Sequence, residues 1–388
     1  FTNFPSVAIN APLATTIVSE MSDNAPPQVY TDIEDVLATL RDHIEQIGTL
    51  KDNFHAYNDY YVQQLGLVTS WGGSVSNPFT NDLRPYQVSS AIADNPFTNP
   101  DCATASPDTN CLGWDTNQTV PSFPSGHSIM GNTSALYYAM LMPQAYQSMM
   151  VSAQQFGLSR NILGVHYPLD IIGGRVLSYY VMTQLMAGEP LYADAYNFYT
   201  GGGDFATQFK ELYKDLQEHI RDVAGASAIA VPYADCAGAA VANCIANGVF
   251  PTASALTAAN QAYVLQSTYG LPSILPASSG NVAPANSNLL IASRFPYLSS
   301  AQQLDILTST LLPAGVPLDD GSGWARLNLY AAAGGYGAFN SGTVSVTMDA
   351  SKNGFHAFDF WSNNISGSGG LALSGSGTLV LGGDNTYT

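Results

Sequence analysis

Apolar side chains recur at helical spacing through most of the chain and at strand spacing only near its end. Ile33, Val36, Leu37, Leu40, Ile44 and Ile47 fall three or four residues apart. They follow Thr31–Asp–Ile–Glu34, a capping-box pattern, so a helix is expected there. A second, aromatic helix is expected from about Phe54 to Leu65. Trp71 to Tyr86 and Asp94 to Pro124 are crowded with Gly, Ser, Asn and Pro and read as loops. A long apolar helix should start near Ser125 and another near Pro168. Phe205, Phe209, Leu212, Leu216, Ile220 and Val223 mark an amphipathic helix. Further helices are expected around Ser254–Tyr269 and Ser300–Leu312, and Gly323–Ala333 reads as a helix on the bundle or a rim.

From Ser341 the rhythm changes to period two. Val344, Val346 and Met348 alternate, then Phe355, Ala357, Phe358 and Phe360, then the Gly- and Ser-punctuated Leu371–Leu373 and Thr378–Leu381. The fold class expected is therefore mainly α, a helical bundle with a short β-rich C-terminal segment. The expected division is a helical core over 1–225, an α-rich accessory region over 226–340 and a β-rich tail over 341–388.

Two apolar runs, Ser128 to Val151 and Ile171 to Leu185, are long enough to raise the question of a membrane span. Asn132, Gln144, Gln147, Arg175 and Gln184 interrupt them. Neither supplies roughly twenty uninterrupted apolar residues, so both read as buried helices.

Charge narrows the function classes. Eleven Lys and Arg face 29 Asp and Glu, a net charge of −18 over 388 residues. Such a chain lacks the basic face that nucleic acid or an anionic membrane surface requires. Only 10% of residues are charged, so Asn, Gln, Ser, Thr and Gly must supply the polar surface. Cys102 lies close to Cys111, and Cys236 to Cys244, each pair among Pro, Asp, Asn and Gly. Two local disulfides are the simplest pairing, because the spacing is not CxxC and no His is adjacent. Disulfides point to an exported protein, periplasmic, cell-surface or extracellular in a bacterium, made with a signal peptide that is removed.

Six histidines occur. His43, His55 and His219 fall on amphipathic helical stretches and His356 in the strand-rich tail, settings that suit solvated or packed side chains. His127 and His166 stand apart. His127 belongs to Pro124–Ser–Gly–His–Ser128 at the head of an apolar helix. There Ser125 is a natural N-cap, Gly126 permits close approach of a ligand, and the free N–H groups of the first turn form an anion site. His166 belongs to Ser159–Arg–Asn–Ile–Leu–Gly–Val–His–Tyr–Pro–Leu–Asp170. Asp170, four residues on, can fix the imidazole in one tautomer, and Arg160 offers a planar fork for phosphate oxygens.

These two segments resemble the second and third signatures of the type 2 phosphatidic acid phosphatase superfamily, which includes bacterial class A nonspecific acid phosphatases and vanadium haloperoxidases. The matches are Pro-Ser-Gly-His at 124–127 and Ser-Arg-x5-His-x3-Asp at 159–170. The first family signature, Lys-x6-Arg-Pro, is present in its second half as Arg84–Pro85, and Asn77 stands where the pattern has Lys. The resemblance implies that His166 attacks phosphorus with Asp170 orienting it, and that His127 protonates the leaving alcohol and then activates water. It implies that Arg84, Arg160, Ser125 and the Gly126 N–H hold the equatorial oxygens, with Asn77 contributing a hydrogen bond but no charge. No metal or other cofactor is expected.

The activity so implied is a metal-independent acid phosphatase acting on small phosphorylated substrates through a phosphohistidine. One alternative is a haloperoxidase using vanadate as cofactor in the same pocket, and in a phosphatase vanadate would instead inhibit. The other is a catalytically weakened surface-displayed adhesin. It draws on the final segment, Gly375–Ser–Gly–Thr–Leu–Val–Leu–Gly–Gly–Asp–Asn–Thr–Tyr–Thr388, which resembles the repeat that opens autotransporter passenger β-helices, so the native chain is expected to continue. The sequence leaves room for a homo-oligomer.

Overall fold

The computed structural model describes residues 84–85, 122–190, 192, 204–273, 282–340 and 342–388. Helices expected before Arg84, His43, His55, Asn77, the pair Cys102 and Cys111, and the side chain of His219 lie outside the described residues. The chain is mainly helical, with a few short strands at its C-terminal end. It divides into two compact units: Phe1–Ser134 with Ala153–Ser178 and Phe198–Gly201, and Ala135–Ser152 with Tyr179–Asn197 and Gly202–Thr388.

Three helices carry the motif segments: α1 (Gly126–Leu141), α2 (Tyr146–Ile162) and α3 (Pro168–Ala187). The apolar run 128–151, expected as one buried helix, is in fact two. Pro143 cannot donate to the helical ladder, and Met142 leaves the helix to open a 3-10 turn over Pro143–Ala145 before α2 begins.

In the first unit, glycines let the helices meet at backbone distance. A Cβ on Gly131 would lie 2.4 Å from the Phe156 ring, one on Gly157 2.6 Å from Ile171, and one on Gly174 2.7 Å from the Ser128 Cβ. Ser128 and Ser178, both buried, tie the helices further. Ser128 Oγ donates to the Ile171 carbonyl at 3.0 Å, and Ser178 Oγ to the Ile129 carbonyl at 2.9 Å.

The second unit continues with α4 (Phe205–Ala224), α5 (Val241–Ala246), α6 (Ala253–Thr268), α7 (Ser300–Ser309) and α8 (Leu329–Ala333). Asp204 caps α4, and the buried stripe of Phe205, Phe209, Leu216 and Ile220 is the one its spacing predicts. Tyr137 packs against Phe205 and Phe209 at ring distances of 6.0 and 5.7 Å. Helix α7 opens with a capping box between Ser299 and Gln302. The short α5 carries Cys244, which is disulfide-bonded to Cys236. Nothing in the hydrophobic spacing announces this helix.

The tail holds four strands, β1 (Thr343–Met348), β2 (Phe358–Trp361), β3 (Gly370–Gly375) and β4 (Thr378–Leu381). β1 pairs in parallel with β3, Thr343 opposite Gly370, and β2 in parallel with β4, Phe358 opposite Thr378. The second pass of chain thus lies directly on the first. Backbone bonds Gly382 N to Trp361 O and Thr386 N to Ile365 O, both 2.8 Å, continue the stacking. Phe355, read as the start of a strand, lies instead in a 3-10 turn over Gly354–His356, because Asn353 and Gly354 adopt positive φ and break the extended run. It is buried in a cluster with Val231, Cys236, Phe358 and Val380.

Arg294 and Asp359 anchor the tail to the segment before α7 by a buried bidentate pair at 2.8 and 2.7 Å. The guanidinium lies between the rings of Phe295 and Phe355, at 4.5 and 4.2 Å from their centroids. Tyr297 donates its hydroxyl to the same carboxylate and accepts from the Trp361 indole at 2.9 Å. Arg294 is therefore a structural ion-pair partner. Arg326 is buried and donates Nε to the Leu312 carbonyl at 2.9 Å.

Candidate active site

Each motif residue owes its place to a local backbone device. Ser125 caps α1: its Oγ accepts the Ser128 N–H at 3.2 Å, and its carbonyl accepts the Ile129 N–H at 3.0 Å. The hydroxyl keeps its own hydrogen to donate. Gly126 and His127 then occupy the first two helical positions, where N–H groups have no intrahelical acceptor. His127 is exposed while Ser125 is buried.

Helix α2 ends in a Schellman motif. Gly164 sits at φ 71°, its N–H bonds the Asn161 carbonyl at 2.9 Å, and the Val165 N–H bonds the Arg160 carbonyl at 3.2 Å. This turn reverses the chain and delivers His166 just before α3. Pro168 opens α3, with the Asp170 side chain reaching back to the Tyr167 N–H at 2.8 Å. Asn161 completes the turn by donating to the His166 carbonyl at 2.8 Å.

Arg84, His166 and Asp170 form one connected line, all three buried. Arg84 Nη1 lies 3.1 Å from His166 Nε2 and 2.9 Å from the Val165 carbonyl. His166 Nδ1 lies 3.3 Å from Asp170 Oδ2. A guanidinium can only donate, so Nε2 is the acceptor and Nδ1 carries the proton. Burial pulls the His166 pKa below the usual 6.5, the Asp170 hydrogen bond opposes this, and the Arg84 charge adds to it. The balance favours the neutral imidazole, with its Nε2 lone pair directed at Arg84. The second and third segments are also joined through the backbone, Ser125 N–H to the Asp170 carbonyl at 3.1 Å. Arg160, in the last turn of α2, is buried with its guanidinium 4.7 Å from the Phe156 ring.

Residues 65–190 match the PAP2 superfamily. The match covers about a third of the chain and contains every described motif residue, which supports placing this segment in the type 2 phosphatidic acid phosphatase superfamily. No curated protein matches the chain. The PAP2 match supports phosphoester hydrolysis as the general activity. No described helix is long and apolar enough to cross a membrane.

Two participants in the PAP2 segment escaped the sequence reading. Ser122 bonds Asp170 across 48 positions, a contact no local pattern announces. Asn161 was legible only as a neighbour of Arg160, although Gly164 two residues after α2 is a recognisable C-cap signal. In the second unit, a cleft of about 260 Å³ is lined by residues including Gln144, Tyr233, Arg294, Asp359 and Phe360. Its one cation, Arg294, is committed to Asp359, and no motif residue lines it.

Proposed function

We propose that this PAP2 segment is a metal-independent acid phosphatase that hydrolyses soluble phosphomonoesters through a phosphohistidine. The observation that carries the reading is the Arg84–His166–Asp170 line, which presents Nε2 as the nucleophilic atom and holds the proton on Nδ1. A phosphoryl group entering the site offers Arg84 a better partner than a neutral imidazole. The guanidinium moves to an equatorial oxygen, joined there by Arg160, Ser125 and the Gly126 N–H. Nε2 then attacks phosphorus as the ester P–O bond breaks, and His127 gives its proton to the departing oxygen. In the second step His127 takes a proton from water, the hydroxide attacks phosphorus, the P–N bond breaks, and inorganic phosphate leaves.

The deciding experiment is p-nitrophenyl phosphate hydrolysis from acid to neutral pH with EDTA present. Turnover should survive EDTA, vanish in His166→Ala and rise in Asn77→Lys, which restores the family cation. Absence of turnover in every variant would sink the reading. Bromide oxidation with vanadate and peroxide would then favour the haloperoxidase alternative.

The tail supports a separate proposal, that it is a β-solenoid segment displayed outside the cell. What supports it is the parallel stacking of successive chain passes, β3 on β1 and β4 on β2. The Cys236–Cys244 disulfide fits an oxidising compartment.

A further inference from the structure

Ser122 is wholly buried two residues ahead of the Pro124–His127 segment. Its Oγ donates to Asp170 Oδ2 at 2.5 Å. That same oxygen accepts the Tyr167 N–H at 2.8 Å and faces His166 Nδ1 at 3.3 Å. Three donors from three positions thus converge on one carboxylate oxygen. The Tyr167 bond belongs to the start of α3 and would exist in any helix so capped. The Ser122 bond does not: it comes from a distant segment and reaches only the carboxylate.

A carboxylate held by Tyr167 alone can rotate about its Cβ–Cγ bond. Rotation would move Oδ2 off Nδ1 and let the ring proton transfer to the other nitrogen. With the proton on Nε2 there is no lone pair to attack phosphorus. The Ser122 hydroxyl, bonded to Oδ2, resists that rotation. We propose that Ser122 is a positioning residue for the nucleophile, clamping Asp170 against His166 Nδ1 and so fixing the tautomer that leaves Nε2 free. This rests on the phosphatase reading for its catalytic consequence but not for its structural one.

The test uses the whole chain and the variants Ser122→Ala and Ser122→Thr, the second keeping the hydroxyl. Folding of each is checked by circular dichroism and thermal melting. Two readouts are taken: steady-state p-nitrophenyl phosphate kinetics, and 15N chemical shifts of the His166 ring without substrate. Ser122→Ala should lower kcat roughly tenfold to a hundredfold, with KM within about twofold. Ser122→Thr should recover most of the loss. The natural protein should show one protonated and one unprotonated ring nitrogen, and Ser122→Ala should draw the two shifts together as tautomers mix.

Unchanged ring shifts in Ser122→Ala overturn the proposal, whether or not kcat falls, because the role would then be structural only. Equal kcat in the folded Ala variant also overturns it. If the natural protein hydrolyses nothing, the phosphatase reading fails, while the ring shifts still decide what Ser122 does to His166.

Discussion

Arg84 donates to His166 Nε2, so under the proposed phosphatase mechanism the cation that would receive the phosphate also covers the nucleophilic nitrogen before substrate arrives. In that proposal Nε2 would become available as the guanidinium turns to an anionic substrate, which would tie exposure of the nucleophile to occupancy of the site. The second Arg84 bond, to the Val165 carbonyl at 2.9 Å, keeps the guanidinium beside the ring as it moves.

This arrangement sets a pH dependence. The proposed attack needs unprotonated Nε2, and burial, aided by the Arg84 charge, holds His166 below 6.5 against the pull of Asp170. The acid limb of kcat should therefore lie below pH 6.5. Arg84→Gln removes a positive charge that disfavours imidazolium, so the normalised acid limb should move to higher pH even as overall activity drops. The unfolded chain binds a proton at His166 below about 6.5 and the folded chain only at lower pH, so this residue costs the fold stability as pH falls through that window. Normalised rate profiles and melting curves from pH 4 to 8 check both signs.

Gly174→Ala should destabilise by about 1–3 kcal/mol. The new Cβ would meet the Ser128 Cβ at 2.7 Å and the Ser125 carbonyl oxygen at 2.9 Å. Neither is the end of a flexible chain, so α1 and α3 must separate, and the Ser125 cap shifts with them. Urea denaturation gives the stability change, and a parallel fall in p-nitrophenyl phosphate turnover is expected.

Breaking the Arg294–Asp359 pair should be costly. Both groups are buried, and either Arg294→Ala or Asp359→Asn strands a polar partner, a loss of about 3–5 kcal/mol. Replacing both, as Arg294→Met with Asp359→Leu, should cost less than either single change. A double-mutant cycle by denaturant titration measures the coupling.

Reducing the Cys236–Cys244 bond, or Cys236→Ser, should lower stability by about 2–3 kcal/mol, the chain-entropy value for so short a loop. Denaturation midpoints with and without reductant report it.

The sequence revealed those parts of the fold governed by local physics. The α4 stripe from Phe205 to Ile220, the Ser125 cap and the alternation of Val346 and Met348 all answer to periodicity or to one side chain's hydrogen bond. The candidate site was legible as two segments, because Pro-Ser-Gly-His and Arg-x5-His-x3-Asp carry their chemistry within a few residues. What joins them was not. Arg84 to His166 spans 82 positions and Ser122 to Asp170 spans 48, and such pairings depend on how glycine-faced helices cross. The break at Pro143 was visible but outweighed by the apolar run around it.

The two coils of the tail differ in girth. Between β1 and β2 the chain detours through Asp349–Ala357, whereas β3 passes to β4 through Ser376 and Gly377 alone. The detour carries Phe355 into the cluster with Cys236, and β2 beyond it carries Asp359 to Arg294. The second pass, β3 and β4, is joined to the first by parallel pairing, and the first is joined to the Arg294 segment by Asp359. The longer first pass is thus the one fastened to the rest of the unit, through a buried ion pair and an aromatic cluster.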